Sequence, residues 1–254
     1  MNFNTLEEKC RYYQSLTDYR LIPNSYVLIH CDGRSFSKLI KNNFEKPFDK
    51  KFISFMNETA KFLCENVCGC KLSYVQSDEI TLVLTDFDDI KTDSFFGYRL
   101  SKITSIIASM ATAKFNRLLV EDMLNTPCSI NDMKSILNDV PLINFDCKAW
   151  NVPTFNDVKA WIIYRQNDCV RNSILQTAHC FFNQKELNGL KTNDVVEKLI
   201  KEKNIKWEYF PDNIKYGRFI IKNDKLEIIN GFHITKNIEN FNHILDIPII
   251  EKKE

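Results

Sequence analysis

The chain has no excess of charge of either sign: 34 Lys and Arg stand against 33 Asp and Glu, a net charge of +1 over 254 residues. A broadly basic surface is therefore excluded, and a nucleic-acid partner would have to be held by a local basic patch. No apolar run is long enough to span a bilayer, so no membrane association is expected. The start, Met1 to Tyr19, carries Glu7, Glu8 and Asp18 and lacks an apolar core segment; it reads as neither a secretory leader nor a transit peptide. The expected location is the cytoplasm, with the mitochondrion as the alternative. Internal repeats and low-complexity stretches are absent. The nine cysteines are odd in number and irregularly spaced, which argues against a secreted disulfide framework and for a reducing compartment. Cys64, Cys68 and Cys70 cluster, but without a second ligand pair they read as small buried or loop thiols, not as a zinc site.

What is present is ordinary globular material: 44% hydrophobic and 26% charged residues, enough for a sizeable core. The length fits one large domain or one domain with a smaller appended part. Apolar spacing predicts helices at Leu6 to Leu16, Lys51 to Asn66 (with Asp49 as a possible N-cap), Ser94 to Leu119, Val158 to Thr177 and Thr192 to Lys203, and a helical turn at Ser35 to Ile40. Strands are predicted at Tyr26 to Cys31, from Pro141 to Ala149, at Tyr216 to Ile221 and at Lys225 to Ile229, the last two joined at Asn223-Asp224. The apolar runs either side of Gln76-Ser77-Asp78-Glu79 read as a hairpin. Residues 125–139 read as a loop or insert, and Glu251 to Glu254 as a frayed tail. The hairpin interrupts βα alternation, so an α+β fold, an antiparallel sheet backed by helices, fits better than a doubly wound parallel one. The chain divides into a catalytic core over 1–140 and a part over 141–254 that completes it and adds a small mixed α/β region.

Asp32-Gly33 closes one apolar run, and Asp78-Glu79 sits at the turn between two others. Carboxylates placed there can surround a shared pair of divalent cations, an arrangement suited to phosphoryl or nucleotidyl transfer. Asp32 and Asp78 are the leading ligands, and the Gly33 carbonyl could add a third. Strand alternation turns Glu79 away from Asp78. Taken singly, each motif also reads as an ordinary turn. Arg99 and Lys102, one helical step apart, could grip a triphosphate or an RNA 5′ end. Arg34 and Lys46 are further phosphate candidates, whereas Lys38 and Lys41 read as a solvated basic face. The run Arg165-Gln166-Asn167-Asp168-Cys169-Val170-Arg171-Asn172-Ser173 is unusually polar for its helix and reads either as a buried network or as an RNA-contacting surface. His30 and His179 read as satisfied core histidines.

These residues resemble the tRNA-His guanylyltransferase superfamily, enzymes that extend RNA in the 3′–5′ direction. The matching pieces are His30-Cys31-Asp32-Gly33-Arg34-Ser35-Phe36, Lys46-Pro47-Phe48-Asp49, Tyr74-Val75-Gln76-Ser77-Asp78-Glu79, Arg99-Leu100-Ser101-Lys102, Phe145-Asp146-Cys147-Lys148 and Tyr164 to Cys169, in the family's order. The resemblance implies a polymerase-palm-like sheet, two Mg²⁺ ions, ATP and GTP or another nucleoside triphosphate as substrates, tRNA as partner and a homotetramer. It implies Asp32, Asp78 and Glu79 as catalytic carboxylates, with Asp32, Gly33 and Asp78 holding metal. Nucleotide and phosphate contacts are implied for Arg34, Ser35, Phe36, Lys46, Asp49, Ser77, Arg99, Lys102 and Lys148, and Arg165, Gln166, Asp168, Arg171 and Asn172 form an RNA-binding or structural network. The chain departs from the family in having His30 for an Arg and Ser37 for a His. It also has Arg171-Asn172-Ser173 where the eukaryotic enzymes that add the extra G carry a run rich in Asn. That last departure resembles the guanylyltransferase-like branch, whose members repair 5′-truncated tRNAs against a template. The expected activity is thus template-dependent 5′-end repair, through adenylylation of the 5′-monophosphate. The alternative is addition of a single G to tRNA-His; an idle tRNA-binding protein and a nucleotide cyclase are the readings from other classes.

Overall fold

The computed structural model describes residues 3–89, 91–125, 142–222, 226–232 and 234. Its helices are α1 (Leu6–Ser15), α2 (Phe36–Asn43), α3 (Lys50–Asn66), α4 (Leu100–Leu124), α5 (Phe155–His179), α6 (Gln184–Leu187), α7 (Thr192–Lys203) and α8 (Asp212–Lys215). Its strands are β1 (Tyr26–Arg34), β2 (Cys70–Gln76), β3 (Glu79–Leu84), β4 (Asn144–Val152), β5 (Arg218–Lys222) and β6 (Leu226–Asn230). The strands form one six-stranded sheet in the order β4-β1-β3-β2-β5-β6, every pair antiparallel.

Helices cover both faces of the sheet. Val27, Ile29 and Cys31 of β1 face a core that includes Phe36 of α2, Met56 and Leu63 of α3, and Ile107 and Phe115 of α4. Tyr26 and Leu28 face the other way, onto Phe155, Val158 and Ile162 of α5. Two-sided burial explains why β1 opens as an unbroken apolar run, Tyr26-Val27-Leu28-Ile29, instead of an alternating one. The second half of α5 leaves the sheet and packs Ile174 and Ala178 against Leu187, Val195 and Leu199 of α6 and α7. One sheet thus runs through both parts of the chain, because β4, β5 and β6 all lie beyond residue 140.

Local chemistry sets the element ends. Asp49 accepts hydrogen bonds from the Lys51 and Phe52 N–H groups and starts α3, as its N-cap position predicts. Thr154 and Asp157 form a capping box that starts α5 at Phe155, a full turn earlier than apolar spacing indicates. The stretch predicted as one helix from Ser94 is instead a 3-10 turn over Phe95–Tyr98, with Phe96, Gly97 and Tyr98 at positive φ, and α4 begins only at Leu100. The short helices α6 and α8 carry too few residues to show a period. β1 runs three residues past Cys31, because its pairing with β4 extends to Arg34 opposite Asn144. Asp32 and Gly33 therefore lie inside a strand, not in a turn after one. The expected insert over 126–139, the Asn223-Asp224 turn and the tail lie outside the described residues.

Phe115 of α4 is fully buried against α2, α3 and β4, its ring 5.1 Å from Phe36 and 5.9 Å from Phe145. Phe115→Ala is expected to cost about 3–5 kcal/mol of unfolding free energy. Denaturant titration of the variant and the parent measures it.

Candidate active site

The site is built where β1 meets the β2–β3 hairpin. Asp32 lies directly opposite Glu79 across the strand pair, and one residue on the Gly33 N–H donates to the Asp78 carbonyl at 3.1 Å. That bond fastens the two-residue turn Ser77-Asp78 to the end of β1 and brings the Asp32 and Asp78 carboxylates to one end of the sheet. Ser77 takes φ 44°, a left-handed conformation that L-residues adopt rarely. Gly33 is required by close packing: a Cβ there would sit 2.4 Å from the Phe36 ring. The Phe36 ring is 1% exposed and stacks into the core, so its expected contact with nucleotide is corrected to a packing role beneath Gly33.

The carboxylates differ in what surrounds them. Burial, and then the charge of Glu79, raises the Asp32 carboxyl above its ordinary range. Burial pushes Asp78 up to about 6; its own backbone N–H and the Ser77 hydroxyl oppose the rise and the Asp32 charge adds to it. Among the described residues neither carboxylate joins an ion pair, whereas Glu79 does. Arg165 grips Glu79 through Nη2 at 2.6 Å to each carboxylate oxygen and through Nε at 2.9 Å, and Gln76 Nε2 donates to it at 2.7 Å. Arg165 also holds Asp168 at 2.8 Å, and Asp168 in turn pairs with Arg171 and accepts from Asn172 at 3.4 Å. Gln166 ties the C-terminal segment down: its Nε2 donates to the Tyr216 and Phe232 carbonyls, and its Oε1 accepts from Ile234. The polar run of α5 is thus a hydrogen-bonded network, buried at Arg165, Gln166, Cys169 and Ser173 and exposed at Asn167 and Arg171.

His30 is a core histidine, as expected. Its Nδ1 lies 3.0 Å from the Thr81 hydroxyl, its ring meets Trp161 edge-on at 5.5 Å, and burial with the nearby Arg165 charge lowers its pKa to about 4. His179 is exposed instead, at the end of α5, where it borders a cavity; its expected core position is corrected.

That cavity, about 440 Å³, opens beside Asp78. Lys46, Phe48 and Asp49 of the α2–α3 loop form one wall, Asn172, Ser173 and Gln176 of α5 the other, and Ser77 and Asp78 close one end. Asp49 turns both oxygens to backbone, accepting from Glu45, Lys51 and Phe52, so it shapes the loop that carries Lys46. Lys148 is exposed on β4 opposite His30, two residues along from the carboxylate end. Arg34, the last residue of β1, and Ser35 just after it are exposed, with Ser35 at φ 63° starting α2. Arg99 and Lys102 do not join the site. Tyr98 bonds Leu21, ahead of β1, and Arg99 pairs with Asp18 at 3.0 Å, so both sit near the start of β1, whose nine residues span about 30 Å. Lys102 lies over the Phe96 ring. The reason is that α4 starts at that end and runs back towards the carboxylates.

Sequence reading missed three residues here. Asp146 lies directly opposite Asp32 on β4, a placement that only the strand register reveals. Gln76 and Arg218 line the cavity from β2 and β5, and each carries a buried polar atom without a partner among the described residues. No group of three or more His, Cys, Asp or Glu side chains able to hold a metal occurs among the described residues. Two hard-oxygen carboxylates with raised pKa values and no paired cation nonetheless suit a divalent cation that takes its remaining ligands from backbone, water and substrate phosphate.

The family model for tRNAHis guanylyltransferase matches residues 7–153. A bacterial tRNA(His) guanylyltransferase-like protein solved in complex with ATP superposes with a TM-score of 0.85 at 34% identity, covering 96% of this chain and all of that one (100%). A bacterial protein of the same description solved in complex with GTP gives 0.75 at 29% identity, over 95% of this chain and 99% of that one. The tRNA(His) guanylyltransferase of Neurospora crassa is 28% identical over 81% of this chain and 69% of its own length.

Two outcomes follow from this geometry. The folded pKa of Asp78 lies above the ordinary carboxylate value, so its ionised form penalises the fold and stability falls as pH rises from about 4 to about 6. Asp78→Asn is expected to raise Tm at pH 7–8 without divalent cation and to flatten that part of the profile; thermal melts across pH measure it. Gly33→Ala is expected to cost about 1–3 kcal/mol through the clash with Phe36. Most of that cost should vanish in a Phe36→Ala background, which a double-mutant cycle reads directly.

Proposed function

The chain belongs to the tRNAHis guanylyltransferase family, whose members are nucleotidyltransferases, and from that membership we propose that it is a template-dependent 3′–5′ polymerase that restores missing nucleotides at the 5′ end of tRNA. The observation that carries the reading is the α5 wall of the cavity. Asn172 and Ser173 of the Arg171-Asn172-Ser173 run stand there beside Ser77 and Asp78, at the positions where the resemblance separates the repair branch from enzymes that add a single G. The likeness to bacterial guanylyltransferase-like proteins, solved with ATP and with GTP, supports the same branch and the same substrates.

In this reading the tRNA 5′-monophosphate, a poor electrophile, is first joined to AMP from ATP with release of pyrophosphate. The 3′-hydroxyl of the incoming nucleotide then attacks that phosphate, and AMP leaves. Asp32, Asp78 and the Gly33 carbonyl would hold two Mg²⁺ ions, which when bound supply charge neutralisation on the phosphates and a lowered pKa for the attacking hydroxyl. The chain's own residues do the rest. Gly33 N–H and Ser77 fix Asp78 against β1, and the cavity takes the activating nucleotide between the Lys46 loop and α5, with Lys46 at its rim for the phosphates. Glu79 serves as a positioning residue, since Arg165 and Gln76 occupy its carboxylate.

The test compares two 5′-monophosphorylated RNAs, given ATP, all four nucleotides and Mg²⁺: a tRNA lacking its first nucleotide, with the templating base varied, and full-length tRNA-His. Extension of the truncated tRNA by whichever nucleotide pairs with the template is the expected result. A single G added to tRNA-His regardless of pairing would replace repair with maturation. Asp32→Ala and Asp78→Ala are each expected to lower addition by more than about 100-fold with the fold retained, since loss of a mere outer partner of a metal ligand costs about 10–100-fold. Undiminished turnover in either variant would remove the metal assignment.

A further inference from the structure

Arg218 is a buried cation with no counter-charge among the described residues. The buried cations among the described residues are Arg165, Lys215 and Arg218, and the first two have carboxylate partners, Glu79 and Asp168 for Arg165 and Asp212 for Lys215. Arg218 is only 3% exposed, and its contacts are neutral. Its Nε donates to Asn57 Oδ1 at 2.9 Å, its Nη1 reaches the Asn213 carbonyl at 3.5 Å, and its Nη2 is buried with no partner among the described residues. The Tyr74 hydroxyl and the Cys169 thiol also lie near, and burial raises both pKa values, so both are neutral at pH 7. Burial accordingly pulls the guanidinium pKa down.

Buried charges are paired as a rule, because an isolated one costs several kcal/mol of lost hydration. A purely structural Arg218, bridging β5 to α3 through Asn57, would need neither its charge nor its Nη2, and a neutral amide would serve as well. What distinguishes the position is that Arg218 forms part of the wall of the cavity beside Asp78. An anion held in that cavity would supply the partner that the described residues do not. The acidic side chains there are engaged elsewhere or set apart: Glu45 is exposed in the α2–α3 loop, Asp49 caps α3, and Asp78 lies in the turn at the end of the sheet.

We propose that Arg218 is a phosphate-binding residue, the counter-charge for the polyphosphate of a nucleotide held in the cavity. The inference rests on the proposed function only in taking the ligand to be a nucleotide. Inorganic tripolyphosphate tests the anion site without any transfer reaction, so a failure of RNA extension leaves this result readable.

The experiment titrates the full chain, without divalent cation, with tripolyphosphate, ATP and adenosine by calorimetry. The parent is expected to bind tripolyphosphate and ATP. Arg218→Gln should weaken both by about tenfold or more, each tenfold being about 1.4 kcal/mol, and leave adenosine unchanged, while Arg218→Lys should recover part of the loss. Tripolyphosphate binding undiminished in Arg218→Gln would overturn the proposal. So would an equal loss for adenosine, which would make Arg218 a base contact or a structural one. Should Arg218→Gln not fold, hydrogen exchange on the parent decides: tripolyphosphate should slow exchange in β5 and the first turns of α3, and protection confined to other elements would overturn the assignment.

Discussion

The buried pair between Arg165 and Glu79 is the contact on which the site depends. It joins α5, which covers one face of the sheet, to the hairpin that carries Asp78. Breaking a buried pair by removing one partner leaves the other charge stranded, at a cost of about 3–5 kcal/mol. Here the cost would fall on the position of the hairpin. Glu79 also receives Gln76, so the turn Ser77-Asp78 is braced on both flanks while its own backbone is held at an uncommon dihedral. Strain of that kind persists only where surrounding contacts over-determine it, and Arg165, Gln76 and the Gly33 N–H supply those contacts.

From the same anchor the polar network runs outward through Asp168 to Arg171 and Asn172, and through Gln166 to the segment at Phe232 and Ile234. The cavity wall is therefore not an independent surface. Arg171 and Asn172 both bond Asp168, which Arg165 also holds, and Arg165 in turn holds the carboxylate turn through Glu79. A change at Arg171 and a change in turn geometry are coupled through one side chain, Asp168, shared by Arg165 and Arg171.

Much of this was legible in the residues. Apolar runs and breaks located β1, the hairpin, α3 and α7, and the antiparallel sheet followed from the hairpin. Asp32-Gly33 and Asp78-Glu79 stood out because they interrupt apolar runs. What could not be read were properties of register and of three-dimensional distance. Asp146 faces Asp32 only because β4 pairs with β1 through Arg34. Arg218 sits in a strand that sequence reading treats as part of a peripheral region, yet it pairs beside Val75 next to the hairpin. Arg99 and Lys102 were expected near phosphate because helical spacing puts them on one face, but spacing says nothing about which end of the sheet that face occupies. Phe36 follows the acidic motif directly and was expected to touch ligand, whereas the need to cover Gly33 turns it inward.

The position of β1 has a consequence for how the molecule comes apart. It has a paired strand on each side and helices over each face, so its amides exchange only when the whole sheet opens. α1 buries none of its residues and frays by itself. Between these extremes lies the α2–α3 loop, exposed at Glu45 and Lys46 and half-buried at its other residues. Warming or mild denaturant would then erode the cavity rim long before the carboxylate platform. Inactivation of such a protein reports the loosening of a nucleotide's surroundings while the strand beneath the chemistry remains intact.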